Sequence, residues 1–320
     1  MSKAETDNLT LVDGIVRFCE GKIPDNGEDA DWTAVNERAS MAAVFDGAGG
    51  SGAKRYRNLR DKTGAYLASR AIAGASRQWF HNLCEANKLH SADSAESLRA
   101  CFSQALRICS EQGIPQSSSK LRSRLEKAFP STAAMAVCST ENQRLTVSFY
   151  WAGDSRGYIL DGDGLHQVTK DDLDVADAME NLSADGVMTN IISASKSFEV
   201  HKKTVNPGLP CIILTATDGC FGYFSTPMEF EFALLETLLQ SDSLDEWQLR
   251  LPEKLGAFAE DDYTLNAIIM GYGSFVNLKN AFIGRANRLY EAFIRKLHGM
   301  SMEEKTALWT IYKPEYERYM

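Results

Sequence analysis

Short apolar runs that end at an aspartate recur along the chain. Residues 41–45, Met-Ala-Ala-Val-Phe, stop at Asp46-Gly47, and residues 211–216 lead toward Asp218-Gly219. Runs of this length that end in an Asp-Gly turn are typical of buried β-strands. The same pattern predicts further strands at 132–138, 144–151, 157–160, 165–168, 198–205 and 264–270, with a hairpin turn at 161–164.

Other segments carry apolar residues at the spacing of an α-helix. Residues 53–90 place Tyr66, Ile72, Trp79 and Leu83 on one face, which predicts a long helix. The remaining expected helices lie at 92–110, 227–240 and 244–258, from residue 274 to the C-terminus, and between the serines at 117–119 and Pro130.

Strands therefore occur in runs, and so do helices. This order favours an α+β layered fold with antiparallel strand pairing over a doubly wound parallel sheet. The last stretch of the chain mixes aromatic residues with many charges. We expect one main domain over residues 1–273, followed by a helical extension over 274–320 that packs on or beside it.

Composition and charge narrow the classes of function. The 320 residues are 44% hydrophobic with a formal net charge of −9, which is ordinary for a globular protein and argues against disorder. A net negative surface repels phosphate backbones, so nucleic acid is not an expected partner. No run of 18 apolar residues occurs, and the first ten residues are mostly polar. We therefore expect no membrane partner, no signal peptide and a cytoplasmic location.

The cysteines and histidines indicate no nitrogen or sulfur metal site. The seven cysteines are odd in number and scattered, without a Cys-x-x-Cys pair, and the five histidines are equally dispersed. This pattern is typical of neither a disulfide framework nor a zinc ribbon. A metal ion, if one is bound, would be held by oxygen atoms.

Acidic residues lie where the predicted strands begin or end. They are Asp46, Asp154 and Asp218 after strands, Asp261 before the last strand, and Glu28 with Asp29 before an early strand. A carboxylate at the end of an apolar strand is costly unless another group offsets its charge. Converging carboxylates would repel one another, and Mg²⁺ or Mn²⁺ suits an all-oxygen ligand set. Any single Asp-Gly pair is usually only a turn, so the combination is what predicts a metal site.

The residues around these acids resemble seven motifs of the metal-dependent protein phosphatases, the protein phosphatase 2C family. Residues 44–50, Val-Phe-Asp-Gly-Ala-Gly-Gly, are similar to the family's V-F-D-G-H-G-G, and residues 152–156, Ala-Gly-Asp-Ser-Arg, contain its G-D-S-R. The other matches are Glu-Asp-Ala at 28–30, Pro-Ser-Thr-Ala at 130–133, Gln-Val-Thr-Lys-Asp-Asp at 167–172, Ala-Thr-Asp-Gly at 216–219 and Asp-Asp-Tyr-Thr at 261–264. Each motif is weak alone, but all seven follow the family's order over about residues 11–272.

The resemblance implies a fold and a set of metal ligands. The fold would be an α-β-β-α sandwich, in which two antiparallel sheets pack face to face with helices outside. Asp46 would bridge two Mn²⁺ or Mg²⁺ ions, the Gly47 carbonyl would join it, and Asp218 and Asp261 would be further ligands. Asp154 would join Asp218 at a third, weaker ion site of the kind that bacterial members have.

The resemblance also implies an activity. A hydroxide held between the metal ions would hydrolyse phosphoserine and phosphothreonine in a phosphorylated protein partner, without a covalent phosphoenzyme. Glu28 and Asp29 match the pair that orders metal-bound water. Residues 172–196 match the variable flap, which would shape substrate choice.

Several positions depart from the family pattern. Ala48 stands where many members have a histidine that serves as general acid, although bacterial members often lack it. The arginine that grips phosphate would fall on Pro24, and Lys22 is the nearest cation. Asp172 and Gly222 also replace the usual residues. A second hypothesis therefore stays open, namely a catalytically weak or inactive module that binds phosphoproteins. The retained carboxylates favour an enzyme, because a scaffold has no need to hold buried like charges together.

A cysteine-based phosphatase is the rival chemistry. Two Cys-x5-Arg spacings occur, from Cys101 to Arg107 and from Cys138 to Arg144. Such a site needs a tight loop of backbone N–H groups around the phosphate and a thiolate of lowered pKa. Neither segment offers that loop, so we interpret both spacings as chance. We interpret Arg156 as a residue that braces the inner sheet.

Overall fold

Two five-stranded antiparallel sheets form the centre of the protein. A computed structural model describes residues 11–24, 26–113, 128–142, 144–175, 177–182 and 186–320. In the first sheet the strand order is β1-β12-β11-β8-β9. Its strands are β1 (Val12–Glu20), β8 (Arg156–Leu160), β9 (Leu165–Gln167), β11 (Cys211–Ala216) and β12 (Tyr263–Met270).

The second sheet has the strand order β10-β7-β6-β3-β2. Its strands are β2 (Ala30–Val35), β3 (Ser40–Phe45), β6 (Ala133–Glu141), β7 (Arg144–Ala152) and β10 (His201–Val205). Strands β4 (Arg55–Tyr56) and β5 (Lys62–Thr63) form a separate two-stranded hairpin.

The two sheets pack face to face because their strands are apolar on both sides. In β3, Ala42 joins the buried cluster that lies between the sheets, where it meets Ile213 of β11 and Ile268 of β12. Its neighbours Met41 and Ala43 belong to the cluster under the helices of the second sheet. Alternate side chains of a strand point to opposite faces, so a strand covered on both faces is apolar at most positions.

Helices cover the outer face of each sheet. Helices α2 (Gly64–Ala86) and α3 (Ser94–Gly113) pack over the second sheet, and a single helical turn, α1 (Gly49–Gly52), precedes them. Helices α4 (Pro227–Gln240) and α5 (Leu244–Gly256) pack over the first sheet. The α+β sandwich that the sequence predicts is therefore confirmed.

The C-terminal segment is helical, as expected. It contains α6 (Phe275–Leu289), a π-helical turn (Tyr290–Ile294), α7 (Arg295–Leu297) and α8 (Met302–Tyr316). Phe282, Leu289, Trp309 and Tyr316 lie in the same buried cluster as Tyr158 of β8, so this segment completes the outer layer over the first sheet. No helix in the described part of the chain is long and apolar enough to cross a membrane.

The structure corrects several predicted boundaries. The helix expected over 53–90 begins at Gly64, because residues 55–63 form the β4–β5 hairpin. Thr63 ends the hairpin and caps the helix, since its side chain accepts a hydrogen bond from the Tyr66 N–H. Strand β10 begins at His201 and not at residue 198, and β1 was not among the predicted strands. The connector at 117–119 and most of the short helix after it lie outside the described residues.

Candidate functional site

Antiparallel pairing brings the predicted acidic residues to one end of the sandwich. In the second sheet, Ala30 at the start of β2 pairs with Phe45 at the end of β3. In the first sheet, Ala216 at the end of β11 pairs with Leu265 of β12 and with Arg156 at the start of β8. All six acids predicted from the sequence sit within two residues of a strand terminus at this end.

The carboxylates interact electrostatically across the two sheets. Burial raises the pKa of Asp46 well above its ordinary value, and the negative charges of Asp29, Asp218, Asp154 and Asp261 raise it further. Burial and the nearby Asp261 raise the pKa of Asp218 to about 6. Residues that are up to 232 positions apart in sequence therefore share one electrostatic environment. We call these five aspartates, together with Glu28, the acidic centre.

Hydrogen bonds hold the loops of Asp46 and Asp154 together. The Asp46 carbonyl accepts from the Thr132 N–H at 2.9 Å and from the Ser131 hydroxyl at 2.6 Å. The Thr132 hydroxyl in turn lies 2.6 Å from the Ser155 hydroxyl, next to Asp154. The Pro-Ser-Thr-Ala motif thus connects two acidic loops, which is a role that its sequence alone did not reveal.

Two glycines allow the loops to approach closely. A Cβ atom on Gly47 would lie 2.7 Å from the Glu28 carbonyl oxygen and 2.8 Å from that of Ala65. A Cβ atom on Gly219 would lie 1.9 Å from the Asp262 carbonyl oxygen. Any side chain at these positions would push the acidic loops apart, so both Asp-Gly pairs are more than simple turns.

Asp29 is the most buried member of the acidic centre, with 2% of its surface exposed. Its Oδ2 atom accepts hydrogen bonds from the hydroxyls of Thr217 at 2.9 Å and Thr264 at 2.8 Å. Burial raises the pKa of Asp29 to about 7, although both hydroxyls oppose the rise. Sequence reasoning missed the two threonines, whose only signal was their place beside Asp218 and at the start of the last strand.

Asp262 and Asp261 have different surroundings although they are neighbours. The Asp262 carboxylate accepts from the backbone N–H groups of Lys22 at 2.8 Å and Glu28 at 2.6 Å. It therefore clamps the loop that carries Glu28, whose own carboxylate accepts a hydrogen bond from the Thr63 hydroxyl. Asp261 is exposed and accepts from the Asp262 N–H at 2.8 Å.

The donor set of the acidic centre fits a hard divalent cation. All of its side chains are carboxylates, and Oδ1 of Asp154 is buried without a hydrogen-bond partner among the described residues. In the described part of the chain, however, no three His, Cys, Asp or Glu side chains form a closed metal-binding group. Like charges repel at short range, so carboxylates without a cation between them do not close into a tight cage.

A pocket opens beside Asp154 and Asp218. Its volume is about 330 Å³, and Arg156, Asp171 and Tyr223 also contribute to its lining. Arg156 points its guanidinium at Asp171, with 2.6 Å between Nη2 and Oδ2. Arg156 is thus held by the protein, in agreement with the bracing role expected from the sequence.

The motif's phosphate-gripping arginine falls on Pro24, and Lys22 lines a pocket with Glu28 and Asp261. Lys22, the nearest cation in sequence, directs its ammonium group to the Ala259 carbonyl at 2.6 Å. Arg70 holds the carbonyls of Gly27 and Glu28 at 3.1 Å, so it also supports the loop. Arg55 and Lys62 of the β4–β5 hairpin line a pocket together with residues of the acidic centre, and sequence reasoning missed both.

The structure offers no support for a catalytic cysteine. Cys101 lies within helix α3, and burial raises the pKa of its thiol. Cys138 is fully buried in β6, and burial raises the pKa of its thiol to about 12. A thiol with a raised pKa is a poor nucleophile at neutral pH, so both Cys-x5-Arg spacings are chance.

Solved structures with the same fold are bacterial serine/threonine phosphatases. The chain is similar to the phosphatase PstP/Ppp of Mycobacterium tuberculosis, with 18% identity, a TM-score of 0.53, and coverage of 82% of this chain and 100% of that one. It is also similar to Stp1 of Staphylococcus aureus, with 17% identity, a TM-score of 0.58, and coverage of 82% and 96%. A PstP catalytic domain in complex with two manganese ions matches at 18% identity, a TM-score of 0.51, and coverage of 82% and 99%.

These likenesses establish the fold and confirm the one that the motif resemblance implied. No protein-family model matches the sequence, and no curated protein matches it. The identities lie below 20%, so the neighbours determine the architecture and leave the activity to be argued from the acidic centre.

Proposed function

We propose that this protein is a Mn²⁺- or Mg²⁺-dependent phosphatase that hydrolyses phosphoserine and phosphothreonine in proteins. The observation that carries the proposal is the placement of Asp29, Asp46, Asp154, Asp218 and Asp261 at strand termini at one end of the sandwich. The fold shared with bacterial serine/threonine phosphatases supports it.

In this proposal, two cations are held by Asp46, the Gly47 carbonyl, Asp218 and Asp261. Asp154, whose Oδ1 atom has no hydrogen-bond partner among the described residues, joins Asp218 at a third ion. Bound divalent cations lower the pKa of water that they share and neutralise negative charge on the phosphoryl oxygens.

Glu28 and Asp29 serve as acceptors that orient water. Asp29 is fixed by the hydroxyls of Thr217 and Thr264, and Glu28 is fixed by Thr63, so neither carboxylate is free to rotate. Each carboxylate keeps one oxygen atom that accepts no hydrogen bond from these hydroxyls. Because that acceptor is already held in position, it can align a water molecule without a movement of the side chain.

The residue at position 48 decides which substrates react well. Alanine has no proton to give to a leaving group. An aryl phosphate releases a weakly basic aryloxide that needs little protonation, whereas a serine or threonine alkoxide is strongly basic and needs much more. We therefore expect a larger rate constant for p-nitrophenyl phosphate than for a phosphothreonine peptide.

Phosphate release with and without Mn²⁺ tests the proposal. Both substrates are assayed with wild type, with Asp46→Asn, and with Asp245→Asn, an exposed carboxylate in the first turn of α5 that serves as the matched control. We expect Mn²⁺-dependent turnover in wild type and the control, and a loss of at least about 100-fold in Asp46→Asn.

The alternative is a phosphatase-like module that binds phosphoproteins, and Ala48 is the observation that favours it. A protein that binds Mn²⁺ and a phosphothreonine peptide but releases phosphate from neither substrate would be that module. Turnover that is independent of metal would contradict both proposals.

A further inference from the structure

The β4–β5 hairpin is strongly basic in an otherwise acidic protein. Residues 54–62, Lys-Arg-Tyr-Arg-Asn-Leu-Arg-Asp-Lys, contain five cations and one carboxylate, whereas the whole chain has a net charge of −9. We call these residues the basic hairpin. Lys54, Arg55, Arg57 and Arg60 are exposed, and Lys62 is half-buried. Such a concentration of one charge is not needed for folding and marks a surface for an anionic partner.

The basic hairpin is fixed to the body of the protein. Tyr56 is buried and stacks on Phe129, with 4.7 Å between the ring centroids. The Gly64 N–H donates to the Lys54 carbonyl at 2.8 Å, and the Asn58 side chain donates to the carbonyl of Gln112 at the end of α3. The cations therefore stand on a preformed support, which reduces the entropy lost when a partner binds.

Most of these cations are not neutralised within the protein. In the ranges that the structure describes, Arg55 forms the hairpin's one ion pair, at 3.9 Å with the exposed Asp61. The ammonium group of Lys62 lies 4.3 Å from the ring centre of Tyr66, a contact that leaves its charge uncompensated. An exposed guanidinium can bind a carboxylate or phosphate through two parallel hydrogen bonds.

The basic hairpin stands beside the acidic centre. Arg55, Lys62 and Thr63 line a pocket of about 290 Å³ together with Glu28 and Asp261. Thr63 contacts Glu28 directly, and Arg55 is near enough to oppose the rise that burial causes in the Glu28 pKa. When a phosphorylated residue is bound at the acidic centre, the residues that flank it in the peptide would therefore lie next to the basic hairpin.

We infer that the basic hairpin binds carboxylates that flank the phosphorylated residue, so that the protein selects phosphoserine and phosphothreonine in acidic segments. This inference rests on the proposed function, because it assigns the flanking sequence of the same substrate. The hairpin acts as a specificity surface, with Arg55 and Lys62 in the lining of the pocket beside the acidic centre and Arg57 and Arg60 outside that lining.

The test compares two phosphothreonine peptides that carry either glutamates or glutamines on both sides of the phosphorylated residue. Their affinities for the full-length protein are measured by fluorescence anisotropy with Mn²⁺, using phosphonate analogues of the phosphothreonine that cannot be hydrolysed, so that the readout does not depend on turnover. We expect the glutamate peptide to bind about fivefold more tightly at low salt, and this preference to disappear at high salt because exposed charges are screened.

Two double variants test whether the basic hairpin causes the preference for the glutamate peptide. Arg55→Gln combined with Arg57→Gln should abolish that preference. The matched control is Lys88→Gln combined with Arg144→Gln, which removes the same charge elsewhere. Lys88 lies beyond the far end of the 23-residue α2, about 35 Å from the hairpin, and Arg144 lies at the end of β7 opposite the acidic centre. The control should keep the preference.

Equal binding of both peptides to wild type, or equal loss in both double variants, would overturn the inference. Circular dichroism and thermal melting check that each variant is folded. Turnover of p-nitrophenyl phosphate with Mn²⁺ is measured separately on wild type. That substrate has no flanking residues. A lack of its hydrolysis would therefore refute the phosphatase proposal and not the preference for acidic segments.

Discussion

Arg156 and Asp171 form a buried ion pair directly behind the acidic centre. Their side chains are 2% and 5% exposed, and Nη2 of Arg156 lies 2.6 Å from Oδ2 of Asp171. Gln167 and Asn181 donate further hydrogen bonds to the same carboxylate, each at 3.1 Å. The pair connects the start of β8 with the loop that leads into residues 172–196.

Removal of one partner of this ion pair should be strongly destabilising. We expect Asp171→Ala to lower the free energy of unfolding by about 3–5 kcal/mol, because a buried guanidinium loses its counter-charge. The double change Arg156→Met with Asp171→Leu should recover much of that loss. Urea unfolding measures both variants, and Glu96→Ala, which breaks an exposed pair with Arg99, should have little effect. A double variant no more stable than Asp171→Ala would contradict this account.

Asp261 and Asp262 should respond differently to substitution. Asp262→Ala removes the acceptor for the backbone of Lys22 and Glu28, and we expect a loss of about 1–3 kcal/mol in unfolding free energy in EDTA. Asp261→Asn should keep the stability of wild type in EDTA and raise the Mn²⁺ concentration needed for thermal stabilisation. If both variants lose stability equally in EDTA, then Asp262 does not hold the loop alone and the assignment of Asp261 to metal binding is wrong.

Asp46→Asn should stabilise the protein in EDTA and abolish its response to Mn²⁺. The substitution removes one charge from a group of buried carboxylates that repel one another, so we expect a gain of about 1–2 kcal/mol. Wild type should gain thermal stability as Mn²⁺ is added, since a ligand that binds only the folded state stabilises it. Thermal melts over a Mn²⁺ series measure both effects, and equal shifts in wild type and variant would argue against metal binding at Asp46.

The C-terminal helix α8 should hold the segment after Asp172 in place. The indole N–H of Trp309 lies 3.1 Å from both carboxylate oxygens of Asp177, and Lys313 donates to Oδ2 at 2.8 Å. We expect Trp309→Phe to lower the free energy of unfolding by about 1 kcal/mol and Trp309→Ala by about 3–5 kcal/mol. Limited proteolysis should cut Trp309→Ala first within residues 172–196, and an unchanged cleavage pattern would contradict this role.

His90 should make stability depend on pH below neutrality. Its ring nitrogens contact the hydroxyls of Ser148 at 2.8 Å and Ser139 at 2.7 Å. Burial, together with the charge of Lys202, lowers the pKa of His90 to about 4. The unfolded chain binds this proton near pH 6.5, so the contribution is complete above pH 6.5 and is lost as the pH falls toward 4.

Urea unfolding of wild type and His90→Gln at several pH values checks this effect. The difference in stability between them should shrink from pH 7 to pH 4.5, because only wild type carries the lowered pKa. The other titrating groups are common to both proteins and cancel in the difference. Parallel stability curves would show that His90 does not titrate on unfolding.

Patterns of a few residues predicted much of the fold. The runs before Asp46 and Asp218 are strands β3 and β11, and the helix at 227–240 has the bounds that the sequence predicts. These predictions succeeded because apolar periodicity and Asp-Gly turns act within a few residues. The same local signal failed at residues 53–63, because the apolar Tyr56 and Leu59 fit a helical face although Tyr56 belongs to β4 and Leu59 to the turn between β4 and β5.

Much of the order of strands and helices, the acids at the strand ends and the surplus of basic residues at 54–62 can be read from the amino-acid order alone. The folded chain was needed to show that Asp262 clamps the loop of Glu28, 234 positions away, and that Thr217 and Thr264 both donate to Asp29. It also brought the basic hairpin next to the acidic centre. The reason is physical: strand formation depends on neighbours along the chain, whereas hydrogen bonds and charge interactions depend on distance in space.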